Sequence, residues 1–532
     1  MMNLSFWLSF LSFAIIFSSS TISLAASDNM VLDVSVQQHI HTQCGYTRFP
    51  ALCVETLTAG LASNNVHVVD IMSLLINITL SESKLPVSNF EALSSHFISD
   101  EAQHARASIG YCHELMEMAV KRLDQAILAM KESPRKHKQD IQTWLSAALT
   151  YQEVCKDGAN IYSISNEYMS QISKKMEYLS QLASNSLALV NRITGKKTTG
   201  NFPNWVPTNH RKLLQRNTIP ANVIVAKDGS GNYKTISEAI RAAPGRGRFV
   251  IYVKSGVYSE KIHCNKDGIT LIGDGKYSTV ITGYDSVAGG STLQSSATFA
   301  ITGDGFIAKD IGFQNTAGPG GEQAVALLVA SDHAVFYRCS IAGYQDTLYA
   351  LSLRQFYREC DIYGTVDFIF GNAVAIFQNC QLVLRRPRSH GAYNVILANG
   401  RSDPGQNTGF SIQNCRITEG SDFSPVRHSF NSYLGRAWKL YSRSIIMQST
   451  IGEAISSRGW IEWPGTSSSS LRTLYFGEYG NIGAGAGTGM RVKWPGFHLL
   501  AREEANKFTV ANFIGGNYWL PSTGVSFISG LQ

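Results

Sequence analysis

Phe336-Tyr337-Arg338-Cys339-Ser340-Ile341, Tyr357-Arg358-Glu359-Cys360-Asp361-Ile362 and Phe377-Gln378-Asn379-Cys380-Gln381-Leu382 are three versions of one hexapeptide, and their cysteines step by 21 and then 20 residues. A period near 20 with one strand-like motif per repeat predicts a solenoid whose coils stack parallel strands. Equivalent residues on successive coils then lie one strand spacing apart, about 4.8 Å. Cysteines at that separation fall inside the ~4.4–6.8 Å Cα range of a disulfide, so Cys360 can reach either Cys339 or Cys380. The spacing does not choose between them.

The same register acts on two acids. Asp346 lies seven residues after Cys339 and Asp367 seven after Cys360, so the two carboxyls are expected side by side on neighbouring coils. Like charges that close cannot both ionise freely; one acidity constant rises, the other stays low, and the titration belongs to the pair. A protonated and an ionised carboxyl together supply an acid beside a base or nucleophile. Gln345 flanks Asp346, and Gln323 lies 22 residues earlier, about one coil away. Their amides can donate to a developing oxyanion. Arg436, in Leu434-Gly435-Arg436-Ala437-Trp438, suits a bidentate grip on a carboxylate, and Trp438 offers a flat face for a sugar ring. Each residue also has a plainer use: stacked aspartates cap solenoid turns, glutamines satisfy backbone, an arginine beside glycine makes a surface ion pair, and tryptophan fills a core. Two carboxyls in register weigh toward a site.

Working outward, residues 221–532 keep one grammar, short β-branched and aromatic runs such as Phe249–Val253 and Ile269–Gly273 punctuated by Gly, Asn and Asp. A β-sandwich with a coincidental repeat is the alternative. Residues 31–192 differ: glycine is scarce and apolar residues recur at helical spacing, as in Leu115, Met118, Ala119, Leu123, Ile127 and Met130, which predicts an antiparallel helical bundle. Between them, 193–220 has the Pro, Gly and basic composition of a linker, with Arg211-Lys212-Leu213-Leu214 as the expected processing site. At the front, the apolar run Leu4–Phe17 followed by small residues to Ala26 reads as a secretory signal over residues 1–26. No Lys or Arg precedes it, so the terminal amine supplies the positive charge. The run is shorter than the ~20 residues of a membrane anchor.

Composition narrows the chemistry. The 532 residues are 44% hydrophobic and 16% charged, enough for two or three compact domains and unlike a disordered chain. Of the net charge of +7, residues 221–532 supply +6, a mild bias toward anionic partners and far from the basic stripe of a nucleic-acid binder. Of nine cysteines, Cys44 with Cys53 and Cys112 with Cys155 form two sets in the helical part; five lie beyond, so at least one is unpaired. Asn77-Ile78-Thr79 is an N-glycosylation sequon. Zinc-type His/Cys spacing, His-Glu-x-x-His and Gly-x-Ser-x-Gly are absent from the sequence, so no metal or cofactor is expected.

The motifs Gly256-Val257-Tyr258-Ser259-Glu260, Gln323–Leu327, Gly343-Tyr344-Gln345-Asp346-Thr347-Leu348-Tyr349, Gly364-Thr365-Val366-Asp367-Phe368-Ile369-Phe370-Gly371 and Leu434-Gly435-Arg436-x-Trp438 occur in this order. With them, residues 221–532 resemble plant pectin methylesterases. The helical part, with Cys44-x8-Cys53 and Ala147–Thr150 leading to Cys155-Lys156-Asp157-Gly158, resembles the inhibitor-like pro-domain that precedes the enzyme in longer members. The resemblance implies two domains: an N-terminal all-α four-helix bundle and a C-terminal all-β right-handed parallel β-helix. It implies demethylesterification of cell-wall methylated homogalacturonan, a separate inhibitor protein as a further partner, no nucleic acid, and no stable membrane association once the signal is removed. It also implies a Cys360–Cys380 disulfide, Asp367 as nucleophile, Asp346 as general acid and later base, Gln323 and Gln345 as stabilisers of the tetrahedral intermediate, and Arg436 with Trp438 as the substrate-binding pair.

Three positions depart from the family pattern: Ala437 stands where proline is usual, Leu328 where arginine is common, and Leu293 where a threonine contacts substrate. Losing that hydroxyl removes about one neutral hydrogen bond, ~0.5–1.5 kcal/mol, so an active enzyme of lower rate or altered selectivity is expected. The rival readings are a calcium-dependent pectate lyase on the same solenoid, for which the Gln/Asp/Asp/Arg set is a poor calcium cluster, and a secreted pectin-binding or inhibitory protein with weak or no catalysis.

Overall fold

The computed structural model describes residues 34–62, 71–85, 103–161, 167–194, 221–389, 391–465 and 469–532. The signal at residues 1–26 and the processing site at Arg211–Leu214 lie outside the described residues. The chain divides into two compact units, residues 1–197 and 198–532.

The first unit is helical: α1 Val34–Cys44, α2 Pro50–Ala62, α3 Ile71–Ser83, α4 Gln103–Glu132, α5 Lys138–Asn160 and α6 Glu167–Asn191. Helices α3 to α6 pack as the expected four-helix bundle, α3 and α5 each lying against both α4 and α6. The apolar stripe of α4 is buried at Leu115, Met116, Ala119, Leu123, Ile127 and Met130. Met116 replaces the expected Met118, which is half-buried, because Cys112, Leu115, Met116 and Ala119 continue one i, i+3, i+4, i+7 face. The shorter α1 and α2 form a hairpin closed by Cys44–Cys53, and Cys112–Cys155 ties α4 to α5. Asn185 of α6 holds the turn between α1 and α2 by accepting from the Phe49 N–H (3.1 Å) and donating to its C=O (2.9 Å). In the sequon, Asn77 is exposed while Thr79 is buried against Leu75 and Ser186. Among the described residues no helix is long and apolar enough to cross a membrane.

The second unit is a parallel β-helix of three sheets with eleven, seven and eight strands, all paired in parallel between successive coils. The shortest coils repeat at 20 or 21 residues, as in Ile251↔Leu271, Val335↔Phe356 and Phe356↔Ile376. Others are longer, 35 residues in Ile376↔Ser411 and 38 in Leu397↔Gly435, because insertions are accommodated in the turns while the strands stay in register. Stacking puts like on like inside: Phe336, Tyr357 and Phe377 lie face to face with centroids 4.8 and 4.5 Å apart. Successive middle coils also bend at a left-handed residue, with Arg338, Glu359, Asn379 and Asn414 at φ of 52–56°. The next residue turns inward in every case: Cys339, Cys360, Cys380 and Cys415.

The thiols correct one expectation. Cys360 and Cys380 are not bonded to each other; both are buried free thiols, as are Cys264, Cys339 and Cys415. The coils are related almost by translation, so the side chains run parallel. Cys360 Sγ points back to Phe336 O (3.3 Å), Cys380 Sγ to Tyr357 O (3.5 Å) and Cys415 Sγ to Phe377 O (3.3 Å). A disulfide needs converging Cβ–Sγ vectors with a dihedral near 90°. Alkylating the unreduced protein in denaturant should therefore label Cys360 and Cys380 and leave Cys44, Cys53, Cys112 and Cys155 unlabelled; a peptide mass joining 360 to 380 would refute this.

Candidate active site

The seven-stranded sheet positions the acids. Its strands Leu327–Val329, Leu348–Ala350, Ile369–Gly371, Asn394–Asn399 and Ser432–Ala437 pair so that Leu328, Tyr349, Phe370, Ala398 and Arg436 form one row. Asp346 and Asp367 each stand two residues before a strand, in left-handed turns with φ of 60° and 52°. That conformation costs an ordinary residue roughly 1–2 kcal/mol and is tolerated best by Asn, Asp and Gly. The Asp346 N–H donates to Val366 O at 3.2 Å and locks one turn on the next. Gly364 permits the tight approach to Asp367, since a Cβ there would lie 2.1 Å from Phe368 Cβ and 2.8 Å from Tyr344 O.

Gln323 and Gln345 are bridged to each other on adjacent coils. They are 22 residues apart where the following strands repeat at 21, and the extra residue is absorbed as a bulge: Ala326 and Leu327 both donate to Thr347 O. Neither side-chain amide has a partner among the described residues, and the Gln323 Oε1 is buried.

Asp367 is 4% exposed and Asp346 8%. Arg436 donates through Nε to Asp367 Oδ1 (2.9 Å) and through Nη2 to Oδ2 (2.5 Å). Asp346 has no side-chain hydrogen-bond partner among the described residues. Burial drives the Asp346 carboxyl well above the usual carboxylate range, and the Asp367 charge adds to this, with Arg436 opposing. Burial raises Asp367 too, but the hydrogen bonds and charge of Arg436 oppose it, so Asp367 is raised less than Asp346. The proton of the pair therefore resides on Asp346, and Asp367 carries the charge. Burial works against the charge of Arg436 itself, but its bonds to Asp367 outweigh that and the guanidinium stays cationic.

Two other buried arginine–carboxylate pairs show what is different here. Asp332 takes Arg354 Nε and Nη2 together with the N–H groups of Arg354 and His333. Glu478 takes Arg491 together with Trp460 Nε1. Both carboxylates are saturated and serve structure. Asp367 has its arginine alone, and a second carboxyl beside it.

The remaining expected residues lie on the same and neighbouring coils. Trp438 is half-buried and tilts against Phe370 (6.0 Å), which stacks on Tyr349 (4.3 Å), making an aromatic shelf. Leu293 sits half-buried in a turn whose Ser296 hydroxyl donates to Leu293 O (2.7 Å) and accepts from Val325 N (3.1 Å), which ties it to the coil of Gln323. Leu328 and Ala437 are buried. Arg436 makes its bidentate grip on a carboxylate of the protein itself, that of Asp367. Two neighbours were not foreseen, Tyr393, whose hydroxyl accepts from Arg436 Nη1 (2.9 Å), and Trp463, whose ring lies 4.1 Å from the guanidinium carbon. Trp463 lies close after the bridge Gly435↔Trp460, on the next coil; the 25-residue length of that coil hides the relation in a search for a period near 20.

Residues 222–517 match the Pectinesterase family model, and residues 38–189 match that of the plant invertase/pectin methylesterase inhibitor. The chain is 46% identical to a probable pectinesterase/pectinesterase inhibitor of Arabidopsis thaliana over 91% of each chain. It is 44% identical to a pectinesterase of Citrus sinensis, covering 93% of this chain and 95% of that one. The chain belongs to the pectinesterase family. As a pectinesterase it is a carboxylic ester hydrolase that demethylesterifies pectin. Its second unit shares the right-handed parallel β-helix of the pectin methylesterase from carrot, with a TM-score of 0.58 and 51% identity over 59% of this chain and all of that one. The Aspergillus niger enzyme matches at 0.50 and 30%, over 57% and 98%.

The buried pair has a thermodynamic signature. Because the Asp346 carboxyl is raised on folding, its contribution is fully present below the unfolded value near 4 and is lost as pH rises toward the folded one, each tenfold change in the acidity constant being worth about 1.4 kcal/mol. Asp346→Asn should therefore gain stability over the wild-type pectinesterase at pH 7 and show little gain at pH 4. Denaturant melts at the two pH values check this; an equal effect at both would contradict a neutral, buried Asp346.

Proposed function

We propose that this pectinesterase acts on methylated homogalacturonan by covalent catalysis, with Asp367 as nucleophile and Asp346 as acid and then base. The observation that carries the reading is the asymmetry of the pair, one carboxylate held ionised by an arginine fork and the other buried without a partner. An Asp367 oxygen attacks the methyl-ester carbonyl carbon, and the oxygen that becomes negative accepts hydrogen bonds from the amides of Gln323 and Gln345. As the tetrahedral species collapses, Asp346 gives its proton to the departing methoxide and methanol leaves. The enzyme is left acylated through Asp367, with Asp346 ionised. Water then loses one proton to Asp346 and attacks the acyl carbon, the bond to Asp367 breaks to return its carboxylate, and the galacturonic acid released gives its remaining proton to solvent. The half-buried Trp438, backed by the buried Phe370 and Tyr349, suits a sugar face beside the reacting ester. No cofactor enters this scheme.

The unspent Gln amides support it, since side chains that satisfy no protein group are free for a transient charge. Asp367→Asn should reduce methanol release from methylated pectin below roughly a thousandth of wild type, and Asp346→Asn by roughly 10²–10⁴-fold. Both should remain folded by thermal melt. An Asp367→Asn protein retaining more than about a tenth of the rate would rule out the nucleophile.

The rest of the chain fits secretion to the plant cell wall, with residues 1–26 removed as a signal, residues 31–192 an inhibitor-like pro-domain, and cleavage in the 193–220 linker near Arg211–Leu214. Asn77 is the glycan acceptor within the pro-domain. Intact-mass measurement of the secreted product should give a chain starting near residue 215; a product that keeps the helical unit would refute cleavage.

A further inference from the structure

Arg436 reaches its partner from a distance. Row neighbours Phe370, Ala398 and Arg436 put the Arg436 strand two strand spacings, about 9.6 Å, from the coil that carries Asp367. The strand between, Asn394–Asn399, presents only Ala398 in that row, which leaves room for the arginine to cross. A long side chain crossing a small residue is directed by what it meets on the way. It meets Tyr393, the residue just before the intervening strand.

We infer that Tyr393 is a positioning residue for the esterase reaction, holding the Arg436 guanidinium in the orientation that grips Asp367. This rests on Asp367 being the nucleophile. Three of the five guanidinium N–H groups then have fixed directions: Nε and Nη2 toward the two oxygens of Asp367, and Nη1 toward the Tyr393 hydroxyl at 2.9 Å. One face of the plane lies on Trp463 at 4.1 Å. Tyr393 is itself wedged, with its ring edge-on to the buried Tyr433 at 6.0 Å, on the strand that carries Arg436. Its strand is clamped on both sides, Val395 donating to Thr365 O (3.1 Å) and Asn394 to Asn431 O (3.0 Å). Tyr393 thus belongs to the coil between Asp367 and Arg436 and fixes the geometry of both. The charged and titratable groups around the fork are Asp367 and Asp346 ahead of it and Tyr393 and Tyr433 beside it. Beyond Tyr433 lie Arg458 and Glu462, paired at 2.7 Å.

Removing the hydroxyl frees Nη1 and loosens the plane, so the Asp367 carboxylate is less stabilised and is ionised only at higher pH. The test compares kcat, KM and the pH profile of methanol release for wild type, Tyr393→Phe, Arg436→Lys and Asp367→Asn. Tyr393→Phe should melt close to wild type. Its kcat/KM should fall roughly 10-fold at the acid side and less at the alkaline side, so the acid limb moves to higher pH, and the loss should lie in kcat more than in KM. Arg436→Lys, which cannot form the fork, should move the same limb further in the same direction. If Arg436→Lys moves the limb while Tyr393→Phe lowers activity equally at every pH, or leaves it unchanged, the positioning role is wrong and the mechanism stands. Substantial turnover by Asp367→Asn would instead remove the reading on which the role rests.

Discussion

A doubly hydrogen-bonded arginine and aspartate, buried beside a second carboxyl that has no partner, is the interaction on which this pectinesterase turns. Bringing three ionisable groups out of water is costly, and a single ion pair offsets that cost only with good geometry. The protein meets the problem unevenly. Arg436 directs two N–H groups at Asp367 and none at Asp346, so one carboxyl is kept charged and the other is left to hold its proton. Two groups of identical chemistry acquire opposite roles from where one cation sits.

The solenoid makes that arrangement sturdy. Because coils repeat nearly by translation, residues at the same turn stack, and the turn that presents Asp346 presents Asp367 one strand further along. The left-handed φ of both residues is part of a wider habit, since Arg338, Glu359, Asn379 and Asn414 bend the same way just before the inward ladder of Cys339, Cys360, Cys380 and Cys415. Strain at the acids is held by a scaffold that strains the same way elsewhere and is fastened by backbone hydrogen bonds on both sides. The stacked Phe336, Tyr357 and Phe377 of the same coils are nearly parallel, and a rigid scaffold is what a geometry-dependent site requires.

Much of this was legible in the amino acids, to different depths. The 20–21-residue step of Cys339, Cys360 and Cys380 encodes the coil length, and from it the register that pairs Asp346 with Asp367. Helical spacing in Leu115–Met130 encodes the bundle, with an error of one face position at Met118. Cys415 escaped because the coil before it runs to 35 residues, and Trp463 escaped for a like reason: insertions lengthen turns without disturbing strand pairing, so period is lost from the sequence while register survives in space. Tyr393 carried no local mark at all. A tyrosine before a strand is ordinary until the strand is seen to pass between the aspartate and the arginine.

What the sequence determined by itself is what repetition and periodicity encode: two units, a stacked solenoid, and a pair of acids one coil apart, all of which follow from spacing along the chain. What only the tertiary structure decided is which partner each group takes. The spacing admitted a sulfur bridge at Cys360, and the coils, related by translation, instead set the thiols parallel so that each points to a carbonyl. The residue types admitted an arginine that grips a carboxylate without saying whose, and the fold carries Arg436 across the strand of Ala398 to Asp367. Direction is the reason: a register fixes how far apart two residues lie, while the course of a side chain depends on what the intervening coils leave open.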